Sequence, residues 1–425
     1  MMTTFGRLPP EIVSLILQQL SRQRDLYECA IVNKTWNTTA TPLLWQQPSL
    51  RYDHNLRETF FICLATASHP IGQHIRVVKW YYINYEDKHL LCLIKHARSL
   101  QRLEISKAHN ITDASVEPLA RTCRDLTTLF LCTSPITHIS IDSLNEHCHQ
   151  LSNLALIDCH NIPSTTFLRL AHCPLQGICF KIRDWHLYSL DSLYSWSALQ
   201  ERIPDFVRFD RLTSLVFHEP STSFVLSLLS TSQTPTTTTN SRVRWPYLTH
   251  LTLTHPDANL TTVNYRINRL NSFDEEEEKQ NMDKVEDYFI TFFQTHPHLC
   301  SVILRGYPLG ARVLEAMAAF LPNLSILDLS WNKKIEPHDI RQLVMHCPTL
   351  TYIYMDHCGL SWDDFPEIVH VYNKSRYKCR FDLRPFPSRL CNLHQTLINQ
   401  IRGDDSDGSV SYLELLTEPR VTWWQ

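Results

Sequence analysis

One spacing limits what this chain can fold into more than any other feature. An apolar triplet, L-x-x-L-x-L or a near variant, returns at Leu100-x-x-Leu103-x-Ile105, Leu126-x-x-Leu129-x-Leu131 and Leu151-x-x-Leu154-x-Leu156. It is looser at Leu175-x-x-Ile178-x-Phe180 and clear again at Leu212-x-x-Leu215-x-Phe217 and Leu248-x-x-Leu251-x-Leu253. Further copies start at Leu299, Leu324 and Leu350; Ile75-x-x-Val78-x-Trp80 reads as the first, and Phe381-Asp-Leu383 as the strand of a last. Successive starts from Ile75 lie 25, 26, 25 and 24 residues apart, and the C-terminal copies 25 and 26. Leucines placed by chance do not keep a period.

A period of 20–29 residues with this pattern belongs to leucine-rich repeats, in which each unit is one strand plus one helix. Stretches such as 115–120 and 339–344 carry apolar residues at helical spacing between the strands. The expected fold is an α/β solenoid, a leucine-rich-repeat horseshoe with strands inside and helices outside. Strand side chains alternate, so the outer residues of L-x-L enter the core and the middle one points out. The outward set is Lys79, Glu104, Phe130, Ala155, Cys179, Val216, Thr252, Ile303, Asp328, Tyr354 and Asp382. Aromatic and charged members of such a row are natural anchors for a bound protein. Lys79, Glu104, Phe130, Ile303, Asp328, Tyr354 and Asp382 are the candidate substrate-binding residues.

The period stretches to 37, 36 and 51 residues after Leu175, Leu212 and Leu248. These excesses place insertions near 181–208, 218–245 and 254–284. The second holds the Thr-rich run 230–242, read as a disordered, solvated loop. The third holds the acidic run 274–278, leading into Val285, Tyr288, Phe289, Phe292 and Phe293, an amphipathic helix whose N-terminus suits negative charge. After a linker at 403–409 comes an apolar end through Trp423-Trp424. Region 391–425 is expected to cap the array, or alternatively to fold back toward its inner face.

Several function classes lose ground here. Eight glycines in 425 residues, with no G-x-G-x-x-G or P-loop, disfavour phosphate-cradling loops. No G-x-S-x-G, H-E-x-x-H or kinase set occurs, so no enzyme activity and no cofactor are expected. A net charge of −3 offers no global field for nucleic acid or an anionic membrane. No apolar run is long enough to span a bilayer, and the start reads as no secretory signal. Fourteen cysteines then read as reduced thiols of a cytosolic or nuclear protein. Cys148-His149 and Cys159-His160 invite a zinc site, but no C-x-x-C occurs and the cysteines keep the repeat's period. Cys123, Cys148, Cys173 and Cys347 precede a first leucine by two or three residues, while Cys159, Cys358 and Asn332 follow the strand. They form a structural column, and no metal is expected.

Residues 1–50 follow a different pattern. Pro9 and Pro10 suit the opening of a helix, Glu11 its first turn, and Ile12, Ile16 and Leu20 recur on one face. Leu26, Cys29, Ala30 and Val32 fit a second helix, and Trp36, Leu43, Leu44 and Trp45 add bulk. Three short helices bury little surface alone, so one reading is a cap on the open end of the array.

The ordered run Leu8-Pro9-x-Glu11-Ile12, Ile16, Leu20, Asp25-Leu26, Val32-x-Lys34-x-Trp36 and Leu44-Trp45 resembles an F-box. Asn33 departs from it, standing where many members carry Cys. With the cysteine column behind it, the chain resembles F-box proteins with leucine-rich repeats of the cysteine-containing subclass. The resemblance implies domains at 1–50 (F-box), 51–390 (repeats) and 391–425 (tail). It also implies an adaptor-binding set of Leu8, Pro9, Ile12, Ile16, Leu20, Leu26, Val32, Trp36, Leu44 and Trp45. The implied partners are a Skp-family adaptor, through it the cullin and RING subunits of a ubiquitin ligase, and a protein substrate on the repeats. The alternative is a repeat scaffold with no ligase connection.

Overall fold

The computed structural model describes residues 8–20, 22–48, 54–67, 70–81, 84–162, 165–181, 199–200, 203, 209–230, 244–255, 275–368 and 392–403. The chain divides into two compact units, Met1–Leu175 and Gln176–Gln425.

The first unit opens with helices α1 (Pro10–Gln18), α2 (Gln23–Ala30) and α3 (Lys34–Gln46). Pro9 and Pro10 take the N-cap and first helical position, where a missing N–H costs nothing. Asn33, the departure from the F-box pattern, caps α3: its Oδ1 accepts from the Trp36 N–H at 3.0 Å. The Asn37 amide donates to the Ala30 carbonyl at 2.9 Å and satisfies the end of α2. Val13, Leu17, Leu26, Ala30 and Ala40 form the core of these helices.

Helix α4 (His54–Thr66) follows, then strand–helix coils: β1 (Val77–Trp80), α5 (Asp87–His96), β2 (Arg102–Ile105), α6 (Asp113–Thr122), β3 (Thr128–Cys132), α7 (His138–His147), β4 (Asn153–Ile157) and the short α8 (Thr166–Arg169). The four strands are parallel, with Val78 opposite Leu103, Leu103 opposite Leu129 and Leu129 opposite Leu154. The periodic leucines therefore stack in columns, and all of them are fully buried.

The second unit continues with β5 (Gly177–Lys181), β6 (Ser214–His218), α9 (Thr222–Ser230), β7 (His250–Thr254), α10 (Glu275–Thr295), β8 (Ser301–Arg305), α11 (Ala311–Phe320), β9 (Ile326–Asp328), α12 (Pro337–His346) and β10 (Tyr352–Tyr354). These six strands are also parallel, in the register set by the leucines. Glu275–Glu278 form the first turn of α10, and Val285, Phe289, Phe292 and Phe293 are its buried stripe. The run 231–243 lies outside the described residues.

Polar ladders explain why the coils stack at a fixed period. Where the residue before a strand is Thr or Ser, its hydroxyl donates to the carbonyl of its counterpart one coil back: Thr127 to Gln101 at 3.0 Å, Ser152 to Thr127 at 3.1 Å, Thr249 to Thr213 at 3.0 Å and Thr351 to Ser325 at 2.8 Å. At the helix starts, the Asp87 carboxylate accepts from Thr112 N at 2.8 Å and Thr112 Oγ1 at 2.6 Å; Asp113 does the same for Thr137 at 2.9 Å and 2.6 Å. In these two pairs each helix caps the next. At the helix ends the cysteine column turns inward, with Cys123 Sγ donating to Ala97 O at 3.4 Å and Cys148 Sγ to Ala120 O at 3.7 Å. Burial pushes the Cys123, Cys148, Cys159 and Cys173 thiols up to about 12, so they stay protonated donors.

The strand exits share a backbone feature that sequence patterning missed. Two residues past the last inward side chain, φ turns positive at Thr133, Asp158, Glu219, Gly306, Trp331 and His357, with values from 54° to 79°. The turn aims the N–H along the ladder: Thr133 N donates to Ile157 O at 2.7 Å, Glu219 N to Thr254 O at 2.8 Å and Gly306 N to Ser330 O at 2.9 Å. One more inter-coil bond offsets the cost of left-handed backbone at non-glycine residues.

The C-terminal end departs from the parallel pattern. Phe381–Leu383 and Asp382 lie outside the described residues. The last described strand is β11 (Asn392–His394), and it pairs antiparallel with β10. It leads into α13 (Gln395–Arg402), whose Leu397 and Ile398 are buried. Arg402 donates to Val344 O at 3.1 Å and Cys347 O at 2.5 Å. Those are carbonyls at the end of α12, the place a further coil's cysteine would serve. Among the described residues, 392–402 pack against this end; the apolar stretch through Trp424 lies outside them.

Candidate functional site

Two surfaces stand out, one on the three N-terminal helices and one on the outward strand positions. The helices close their core with Val13, Leu17, Leu26, Ala30 and Ala40, against which Leu8, Leu20, Trp36 and Leu44 pack half-buried. Of the residues assigned to adaptor binding, Leu26 is therefore corrected to the interior. The α2 periodicity turns it inward, toward Val13 and Leu17. Trp45 is half-buried and stacks on Phe60 of α4, with centroids 6.1 Å apart.

Ile12, Ile16 and Val32 remain on the outside. With Leu15, Tyr27 and Ile31, which pattern reading passed over, they are 42–62% exposed. Ile12, Leu15 and Ile16 lie on α1 away from its buried Val13–Leu17 edge. Ile31 and Val32 come in the turn after α2, next to Asn33. Tyr27 and Ile31 follow Leu26 and Ala30 directly, so a one-residue offset from the buried stripe could have flagged them. Scattered single apolar residues at a surface are ordinary; six on so small a module are not.

The outward strand positions are more varied than the sequence implies. Lys79, Phe130, Ile303 and Tyr354 are partly exposed on their strands. Glu104 and Asp328 are corrected: both are buried, and neither is a free charge on the face. The Glu104 carboxylate accepts from the Tyr81 hydroxyl and from Arg102 Nε, and Lys79 Nζ lies 3.8 Å away. Asp328 accepts from Arg305 Nε at 2.6 Å and from Ser330 N at 3.0 Å. Strand alternation predicts which way a side chain leaves the backbone. It does not predict that long cations beside it will fold over a carboxylate and exclude water.

In the second unit, Lys181 meets Glu219 at 2.8 Å, and His218 sits beside them. Burial, then the Lys181 ammonium, hold His218 down at about 4. On the strand-start side, Cys300 occupies a place that Thr or Ser fills in neighbouring coils. Its Sγ lies 3.3 Å from His250 Nε2, and Thr249 Oγ1 lies 2.6 Å from His250 Nδ1. The arrangement looks like a thiol activated by a base, but its electrostatics oppose that role. Burial pushes His250 down to about 4 and the Cys300 thiol up, so the pair rests as thiol and neutral imidazole.

Cys148 and Cys159, the zinc candidates, direct their thiols to backbone carbonyls. Among the described residues no three His, Cys, Asp or Glu side chains gather as metal ligands, and no helix is long and apolar enough to cross a membrane.

Comparison with known proteins bears on the N-terminal helices. The F-box-like family model matches residues 5–51, the segment containing the three helices. The chain thus carries an F-box-like region ahead of a repeat of parallel strands and helices. A chain in a crystal structure of the Rad7 and Elc1 complex from yeast is also similar, at 15% identity, covering 80% of this chain and 92% of that one, with a TM-score of 0.34. That likeness is too distant to bear on function.

Proposed function

We propose that this chain is the substrate-recognition subunit of an SCF-type cullin–RING ubiquitin ligase. Its F-box-like helices bind a Skp-family adaptor, which links it to the cullin and RING subunits. Its coils are leucine-rich repeats of a horseshoe whose outward strand positions hold a protein substrate. The chain catalyses nothing itself. It raises the effective concentration of substrate lysines near a charged ubiquitin-conjugating enzyme. It acts in the cytosol or nucleus and takes no cofactor.

One observation carries this reading: a module matched by the F-box-like model exposes six large apolar residues its own core does not need. Large apolar side chains left exposed in number on one small module mark an interaction site. The test is co-purification of a Skp-family adaptor with the full chain, using Ile12→Asp/Val32→Asp as the variant. Both residues are exposed, so the variant is expected to fold with unchanged thermal unfolding while the adaptor is lost. Retention of the adaptor by the variant, or no adaptor on the wild type, would overturn the proposal.

A second reading has its own support. The Arg76 N–H donates to Gln46 O at 2.9 Å, and Trp45 stacks on Phe60, so α3 leads straight onto the first coil. In that reading the helices only close the array. The same two substitutions would then change neither partners nor stability.

A further inference from the structure

The outward faces of the two units handle charge differently. Among the described strand residues of the second unit, Lys181 pairs with Glu219 and Arg305 with Asp328, one cation to one carboxylate. In the first unit two cations share one: Lys79 and Arg102 both turn to Glu104. Glu104 is 0% exposed, while the Lys79 and Arg102 side chains are 24% and 31% exposed. The carboxylate is spent inside, and the positive excess faces out.

The remaining donors can be counted atom by atom. Arg102 uses Nε on Glu104, and Nη1 and Nη2 make no contact among the described residues. Among the described residues, the ion pair of Lys79 Nζ is its 3.8 Å approach to Glu104. The Tyr81 hydroxyl holds Glu104 from another side. Anchored at its base, the Arg102 guanidinium has lost much of its freedom before anything binds. Its free edge is the planar Nη1/Nη2 pair of N–H groups, a fork that grips a carboxylate or a phosphate end-on.

The neighbouring strand adds a second element. Phe130 stands opposite Glu104 in the β2–β3 register and is partly exposed. Adjacent strands lie ~4.8 Å apart, and an extended peptide crossing them advances ~3.3 Å per residue. An anionic residue over Arg102 therefore sets the second residue along near Phe130.

We propose that the first unit's strand face recognises a peptide segment bearing an anionic side chain, followed about two residues later by an apolar one. Arg102 and Lys79 take the anion and Phe130 takes the apolar residue. This rests on the reading above, that the strand face holds a protein substrate, and it adds the chemistry of that substrate. The shared requirement is a planar or tetrahedral oxyanion, supplied by Asp and Glu or by a phosphorylated hydroxyl.

The test is selection from a library of short synthetic peptides by the full chain co-purified with its adaptor. Separate arms carry Asp and Glu, phosphoserine, neutral Ser or Lys at the scanned position. The expected result is enrichment of an anionic arm, with an apolar residue about two positions on. Whichever of the carboxylate and phosphoserine arms is stronger names the source. Lys79→Gln is expected to weaken binding about fivefold, and adding Arg102→Gln with Glu104→Gln to remove the preference. The triple variant leaves no buried carboxylate unpaired, so it is expected to fold, and its thermal unfolding is read alongside. Arg102→Lys keeps the charge and loses the fork, and is expected to bind more weakly than wild type. No anionic enrichment, or enrichment unchanged in the triple variant, overturns the proposal. Adaptor retention in the same samples separates that outcome from failure of the ligase reading, which would show as loss of adaptor from the wild type.

Discussion

The N-terminal helices and the coils use apolar residues in opposite ways. Leu103, Leu129 and Leu154 stack from coil to coil and see no solvent, while Ile12, Ile16 and Val32 stand 42–62% exposed. A coil has no independent core, so its leucines must meet the next coil's leucines or remain wet. The helical module meets its own need with five small and medium residues and has apolar surface left over. In the coils, hydrophobicity is spent on stability; in the helices, part of it is held for another molecule.

Paired truncations test that contrast most directly. Leu129→Ala removes a fully buried side chain from the middle of a column and is expected to cost ~3 kcal/mol or more, read by denaturant unfolding. Ile16→Ala removes a similar volume from the helical face and is expected to change stability by less than ~0.5 kcal/mol, while weakening adaptor binding. Equal losses from both would mean that the helical face is covered within the chain, and the contrast would fail.

The coils were legible in the sequence because every copy repeats the same physics. Ten copies of one triplet, six of their intervals at 24–26 residues, locate the strands, and alternation then sorts inward from outward. The helical module gives only one copy of its pattern, so Leu26 and Ile12 look alike until packing separates them. The charged outward residues were misread for a related reason. Glu104 and Asp328 were assigned by direction alone, yet Arg102 and Arg305, two residues before one and a strand before the other, fold over them. That outcome depends on side-chain length and cross-strand neighbours, which a period does not encode. The left-handed exits at Thr133 and Trp331 were invisible because their residue types argue against them.

The C-terminal end gives the next largest effect. Arg402 donates to the carbonyls of Val344 and Cys347 at the end of α12. Arg402→Ala is expected to destabilise by ~1–3 kcal/mol, since it leaves charge-assisted bonds unmade at a half-buried helix end. A chain ending at Gly403 is expected to keep wild-type unfolding, because 392–402 already pack against this end. Loss of stability on that truncation would move the cap into the residues beyond.

Acid is expected to act on the coils through two histidines. His218 and His250 are held at about 4, mainly by burial, below an unfolded value near 6.5. Between those values the unfolded chain binds protons that the folded chain does not, so stability is full above ~6.5 and falls as pH drops toward 4. At lower pH Asp113 contributes as well. Burial raises its carboxyl, but bonds from Ser140 and Thr137 outweigh that and hold it below its usual value. Its stabilisation is present above the unfolded value and is lost as pH falls through the folded one. Denaturant midpoints from pH 7 to 4 measure the histidine slope, and His250→Gln should flatten part of it. An unchanged slope in that variant would remove His250 from the account.

The smallest effect tests the strand exits. Thr133 is β-branched and sits at φ 62°, where such residues are strained. Thr133→Gly relieves about 1 kcal/mol of backbone strain, but glycine has more unfolded conformations to lose, offsetting ~0.7 kcal/mol. The Thr133 hydroxyl bond to Cys132 O at 2.5 Å is also lost, which narrows the gain further. The expected change is a few tenths of a kcal/mol in either direction, with the N–H bond to Ile157 kept. Thr133→Val is the sharper partner variant: it keeps the β-branch and removes the hydroxyl, and should be the less stable of the two by ~1 kcal/mol. If valine proves as stable as glycine, the positive φ carries no strain, and the shared exit geometry reflects only the reach of each N–H toward the next coil.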